Sequence, residues 1–468
     1  MNKFNSLIFT KINVSLFIFT LILSTLINDF WNVVIVYFIF TFLYIYFIFL
    51  KKITYQIKEF QLLDLRIFII SIILIYTLIP IIGWCISGFD LNIYSDNRIR
   101  SKGLNSKALF IFYLNTYLPF FLTFILGILL VNKKNNINNS IKINKNNGLL
   151  ISMLICLVAL NFFFIFIDVA YGELNRPLII KQLNNIFGHY RMVCYFLMFM
   201  FIFLYWEYKF NKFIILLFLI YSSFELFNGD IPRTFYFKQL LAIFLSYSVL
   251  VKPIKFKYIV LIAIIFVPLA IIIGAKNNNM ISIVSSPDLG VASNEWWSIF
   301  GTAYDIYRFH MIGFYNYTTD QITAIIPNYM YFNDINYLIP QQFIFKVDPS
   351  LWYLDYIKAL DGKDKFGIGF TWGALATIAL WNSIYFTFFY GFISGIIIGL
   401  THNYYISNRN SIYVTLIYLC ACIYAYGIVR VGTGYFIYEL IYRVIPFILV
   451  LFIMTKILKE LSKESRTS

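Results

Sequence analysis

Apolar residues run through this chain in blocks of about 16 to 24 positions, divided by short charged punctuation such as Lys51-Lys52, Lys133-Lys134 and Lys252 to Lys257. A helix rises about 1.5 Å per residue, so each block is roughly long enough to cross a hydrocarbon layer about 30 Å thick. Twelve blocks fit this description: 8–27, 30–50, 67–86, 108–131, 149–168, 191–206, 213–228, 235–250, 258–275, 376–400, 411–428 and 436–456. They predict helices, because lipid offers the backbone no outside hydrogen-bond partner and such runs are too long for barrel strands. The expected fold class is therefore all-α, a polytopic membrane protein of about twelve transmembrane helices.

The blocks are unevenly spaced, and the spacing divides the chain. Residues 1–275 hold nine predicted helices, 276–370 form one long segment, and 371–468 hold three further helices and a tail. The first block runs through Asn28-Asp29-Phe30-Trp31 into the second with no small-residue cleavage site, so it reads as a retained span. A segment as long as 276–370 is too long for a connector and reads as a functional lid or binding element. Trp296, Trp297 and Trp352, the apolar run Ile322 to Ile326, and prolines at 287, 327, 340 and 349 predict short amphipathic helices at the interface or over a cavity. A folded cap with no part in chemistry is the alternative.

Composition sharpens this picture: at 60% hydrophobic and 13% charged, the chain fits no soluble globular class. The net charge of +15 does not imply nucleic acid, because the basic residues lie in short loops between blocks, where the positive-inside rule places them. With both termini cytoplasmic, the inner segments carry 17 Lys and 3 Arg against 5 acids, while the outer side balances 17 basic with 17 acidic residues. All of the net charge then falls inside. The five cysteines, Cys85, Cys156, Cys194, Cys420 and Cys422, lie within or beside apolar blocks and act as small hydrophobes, and three scattered histidines make no metal site.

Charge sidedness leaves a residue-type asymmetry to explain, with 8 Arg to 9 Lys outside against 3 Arg to 17 Lys within. Arginine presents a planar fork of donors that grips phosphate oxygens bidentately and stays protonated in a dry cavity, which points to an outer anion site. The candidates are Arg98, Arg100, Arg176, Arg191, Arg233, Arg308 and Arg430; pairing with the equal number of outer acids is the competing reading. Arg443 illustrates that reading, because Glu439 lies one helical turn before it and can neutralise it. For proton transfer the candidates are Asp305 and His310, which flank Arg308, and Glu225, an ionisable group in a predicted membrane helix facing Asp230 and Arg233. A structural histidine and a hairpin salt bridge are the plainer readings of these two sites.

The segment Gly367-Ile368-Gly369-Phe370-Thr371-Trp372, followed by Asn382, Gly391, Gly395 and Gly399, brings a resemblance into view. With about twelve helices, a large loop before a glycine-bearing helix pair and arginines on the outer face, the chain resembles the bacterial O-antigen polymerase (Wzy) family. Ala374 to Thr377 follow the Phe370-Thr371 pair, so no carboxylate is carried over from the family's pattern there. The resemblance implies a GT-C-like glycosyltransferase of lipopolysaccharide biosynthesis in the bacterial inner membrane, with a large periplasmic loop and a periplasmic active site. It implies no cofactor and no metal: a glycan on undecaprenyl pyrophosphate is transferred to a fresh lipid-linked repeat unit, with arginines stabilising the leaving pyrophosphate. Arg308, Glu225, Asp305 and His310 are then the catalytic candidates, and Arg176, Arg191, Arg233, Arg430, Arg98 and Arg100 the pyrophosphate ligands. Expected partners are the lipid-linked glycans, membrane lipid and a chain-length regulator, with no nucleic acid. An O-antigen ligase or a lipid-linked oligosaccharide flippase shares the donor and remains the alternative.

Overall fold

The computed structural model describes residues 65–66, 68–70, 72–73, 119–131, 193, 196–200, 202–203, 212–220, 233–251, 338, 384–408, 411–425, 427–428, 432–449, 452–453, 456–457 and 460, the side chains of 233–238 and 384 excepted. Regular structure among the described residues is helical throughout, with no strand, so this part of the fold is all-α. Five helices carry the argument: α1 (Pro119–Leu130), α2 (Arg233–Leu250), α3 (Ile384–Asn408), α4 (Ile412–Tyr424) and α5 (Thr433–Tyr438). Within α3, Tyr385–Asn408 is long and apolar enough to cross a membrane.

Small residues fix the closest helix contact. Gly391, Gly395 and Gly399 recur every fourth position, which places them on one stripe of α3, and this stripe meets α1. A Cβ at Gly395 would collide with the carbonyl of Phe124, one at Gly391 with Thr123 and Phe120, and one at Gly127 with the carbonyl of Phe392. The register rises together on both helices, from Phe120 beside Gly391 to Val131 beside Gly399, so α1 and α3 run parallel. Close backbone approach at small residues gains dispersion contacts where no hydrophobic driving force separates helix from lipid.

α3 turns back through Ser411, whose N–H donates to the carbonyl of Asn408 at 3.0 Å, into α4. The Tyr405 and Tyr418 rings then stack at 3.9 Å and 7° across the hairpin. α4 and the last helical run are antiparallel, with Tyr424 beside Glu439 at one end and Tyr413 against Phe452 at the other. α4 also contacts α2, and Phe203 meets Tyr247 edge-on at 5.6 Å. The interior is rich in aromatics, including the fully buried Tyr418, Phe120, Phe124, Phe196 and Phe199.

Helix ends differ from the hydropathy blocks for identifiable reasons. The block 376–400 stops where His402 and Asn403 interrupt the apolar run, yet α3 continues to Asn408. Both polar residues are buried and partnered, His402 by Tyr418 and Asn403 by the carbonyl of Val131, so they do not end the helix. The final run begins at Thr433 rather than 436 because Gly432, at φ 134°, breaks the chain direction just before it. Only glycine adopts that backbone geometry readily. Exposed faces carry Tyr385, Phe389 and Tyr404 on α3, and Ile441, Leu449, Phe452 and Ile457 on the last run, while Ser394, His402, Asn403 and Glu439 lie inside.

Candidate functional site

After α5 the helix does not continue as α. Glu439–Val444 form a π-turn, and the α-helical ladder resumes from Ile445. Pro446 supplies the local cause: it has no N–H for the carbonyl of Tyr442, and its ring crowds that carbonyl, so the preceding turn widens. Such π-turns occur mostly as single irregularities inside α-helices and frequently at functional sites.

This turn holds an ion pair. Nη1 of Arg443 donates to Oε1 of Glu439 at 2.6 Å, the pairing that the sequence spacing predicts. Glu439 is wholly buried, whereas a quarter of the Arg443 side chain is exposed. Oε2 of Glu439 has no hydrogen-bond partner among the described residues, although an unsatisfied buried polar atom costs about 1–3 kcal/mol, and more when charged. The guanidinium carbon of Arg443 lies 5.7 Å from the Tyr438 ring centroid, a cation–π distance, and Tyr424 and Tyr435 lie within electrostatic range of the pair.

The surrounding turns are tied down. Oγ of Ser394 and Oγ1 of Thr433 share a hydrogen bond of 2.7 Å, and the N–H of Thr433 donates to the Tyr390 hydroxyl at 3.1 Å, so α3 anchors the start of α5. One further bond reaches far along the chain. The Tyr442 hydroxyl donates to the carbonyl of Leu338 at 2.9 Å, and Leu338 is the one described residue of the 276–370 segment. Leu338, from the segment predicted to act as a lid or binding element, thus touches the same π-turn that carries the ion pair.

A second polar cluster lies further along the bundle. The Tyr418 hydroxyl accepts from the Leu65 N–H at 2.7 Å and shares a second bond with Nδ1 of His402, also at 2.7 Å. Nδ2 of Asn403 donates to the carbonyl of Val131. These bonds join α3, α4, the end of α1 and the helical stretch at Leu65. Cys420 and Cys422, both buried in α4, form no disulfide. Among the described residues no three His, Cys, Asp or Glu side chains come together as a metal site.

Arg308, Glu225, Asp305, His310, Arg176, Arg191, Arg430, Arg98 and Arg100 lie outside the described residues. Arg233 opens α2, and its side chain lies outside them too. Sequence reasoning paired Glu439 with Arg443 but gave the pair no role. It missed the π-turn, for which Pro446 inside an otherwise apolar helix was the available signal.

Compared with protein-family models, curated proteins and solved structures, the chain shows no match.

Proposed function

We propose that the chain is a polytopic bacterial inner-membrane glycosyltransferase of about twelve helices that polymerises undecaprenyl-pyrophosphate-linked repeat units into O-antigen on the periplasmic face. The observation that carries this reading is the raised share of arginine among the outer basic residues, 8 Arg to 9 Lys against 3 Arg to 17 Lys inside. Two structural features support it. The described faces that meet solvent are strongly apolar while charged and polar pairs point inward, the arrangement that lipid demands. The Tyr442–Leu338 bond brings Leu338, from the long segment, to the turn that holds the Glu439–Arg443 pair.

The chemistry is a substitution at an anomeric carbon. The bond from that carbon to the diphosphate oxygen breaks, its electron pair leaves with the undecaprenyl pyrophosphate, and a hydroxyl of the incoming repeat unit forms the new glycosidic bond while losing its proton. Negative charge grows on the diphosphate as the bond breaks, so preorganised guanidinium groups stabilise the transition state more than the ground state. Arg308 leads the proposed set, followed by Arg233, Arg176, Arg191 and Arg430, with Arg98 and Arg100 further out; Glu225, Asp305 and His310 are the proposed bases. This set needs no metal or cofactor. A chain-length regulator is the proposed protein partner.

Deletion in a host carrying the cognate polysaccharide locus tests the reading. Loss of the long ladder with one capped repeat unit retained is the expected result. Loss of every capped form with intact lipid-linked polymer would assign a ligase, and precursor trapped on the cytoplasmic face would assign a flippase.

A further inference from the structure

We propose that α3 lies at the periphery of the bundle with one face in phospholipid, and that the hydrocarbon layer along it begins at Tyr385 and ends at Tyr404. The inference rests on the membrane part of the reading above and is independent of its chemistry. It gives this face a bilayer as its partner, and it moves the span from the hydropathy block 376–400 to 385–404.

α3 carries a continuous apolar stripe. Tyr385, Phe389, Ile393, Leu400 and Tyr404 are all exposed, and at about 100° per residue they fall within about 100° of arc. Only 39% of the most apolar stretch of α3 is buried, so the helix stands at an edge rather than in a core. The glycines that pack against α1 occupy a different side. Tyr385 and Tyr404 close the stripe at its two ends, about 28 Å apart at the helical rise, close to the roughly 30 Å of a hydrocarbon layer. Tyrosine keeps its ring in the apolar layer and its hydroxyl among the headgroups, which is why it collects at both interfaces.

The inner limit carries two independent marks. Beyond Tyr404 the stripe turns polar, with Ser407 and Asn408 exposed. The end of α1 is pinned at the same level, because Nδ2 of Asn403 donates to the carbonyl of Val131, and Val131 packs beside Gly399. The sequence continues from there at once into Asn132-Lys133-Lys134. Two parallel helices thus change from apolar to polar or basic at one depth, as spans do where they meet the inner headgroups. Hydropathy ends the block at 400 because His402 and Asn403 follow. Both turn inward, onto Tyr418 and Val131, so lipid does not meet their polarity and the apolar stripe runs one turn further.

A second copy of the chain would also cover an apolar stripe. A protein partner, however, gives no reason for the exposed tyrosines to stand at the two ends at a bilayer's spacing, or for the stripe to stop level with the lysines that follow α1. Nor is water a suitable neighbour, since contiguous apolar surface of this extent marks a contact face.

The test places a nitroxide at single cysteines in the full-length chain, its five native cysteines replaced by Ala, in vesicles of phosphatidylethanolamine and phosphatidylglycerol. Collisions with oxygen, which concentrates in lipid, are compared with collisions with a nickel chelate, which stays in water, at Phe389→Cys, Ile393→Cys, Leu400→Cys, Tyr404→Cys and Ser407→Cys. The oxygen-to-nickel ratio should peak at Ile393→Cys, stay on the lipid side at Leu400→Cys, and be at least fivefold lower at Ser407→Cys. A peak at Phe389→Cys with Leu400→Cys in water restores the hydropathy block and overturns the boundary. A smaller difference between Ile393→Cys and Ser407→Cys overturns the lipid contact, as does spin–spin broadening at Ile393→Cys, the mark of a second copy on the stripe. If the cysteine-free chain fails to fold, a diazirine-bearing amino acid in place of Ile393 or Ser407 of the native chain answers the same question. Crosslinks to phospholipid from the first position alone are expected; crosslinks to protein there, or equal lipid yields from both, overturn the proposal. A chain that shows this boundary and makes no polymer keeps the lipid face and loses the polymerase reading, whereas one that polymerises without the boundary loses the lipid face alone.

Discussion

The clusters around Tyr418 and around Glu439 both border α4, yet they solve the problem of buried polarity in different ways. Around Tyr418, polar groups meet in regular helices, and a single hydroxyl joins the Leu65 backbone to the His402 ring. Around Glu439, charges meet in a π-turn, behind a glycine at φ 134°, with one carboxylate oxygen left over. The first arrangement is what a helix bundle needs to stay together. The second carries the local irregularity and unmet bonding capacity that accompany sites where a ligand arrives. Stability and activity should therefore separate between the two clusters on substitution.

The largest effect should come from breaking the frame that both clusters share. Gly395→Leu drives a side chain into the Phe124 carbonyl, and because backbone cannot rotate away the cost should exceed about 3 kcal/mol. No monodisperse protein should be recovered by size-exclusion chromatography. Arg443→Ala comes next, since it leaves Glu439 buried without its counter-charge; a cost of about 3 kcal/mol is expected, the low end for a broken buried pair because Arg443 is partly exposed. Thermal unfolding in detergent measures it.

Tyr418→Phe sharpens the comparison at the other cluster. It strips a partner from both the Leu65 N–H and the His402 ring, which should lower stability by about 1–3 kcal/mol while the turnover of the folded fraction stays unchanged. Ser394→Ala removes one hydroxyl–hydroxyl bond to Thr433 and should cost about 1 kcal/mol in the same unfolding assay. Loss of turnover in Tyr418→Phe at full stability would erase the distinction between the clusters.

The helices were legible in the sequence because hydropathy reports what lipid and core both favour, and α3 and α4 fall largely within predicted blocks. Their ends were less legible. His402 and Asn403 read as a stop because their partners, Tyr418 and Val131, are distant in sequence, and hydropathy does not contain pairings. The glycine repeat at 391, 395 and 399 was visible, but its partner helix α1 was not, since nothing in a spacing names the surface it meets. Glu439 and Arg443 were paired correctly from their spacing of one turn. Their weight was missed, because burial, the free Oε2 and the contact from Leu338 are products of packing around a turn that Pro446 deforms.

One reconstitution tests the central claim most directly: the purified full-length chain, given the lipid-linked repeat unit alone in the presence of a chelator, with products resolved by length. A ladder of lipid-linked glycans that grows one repeat at a time, with one undecaprenyl pyrophosphate released per step and loss of the ladder in Arg308→Ala but not Lys363→Ala, is the predicted result. Repeat units that stay single while wild-type protein is folded, or equal ladders from both variants, would contradict it.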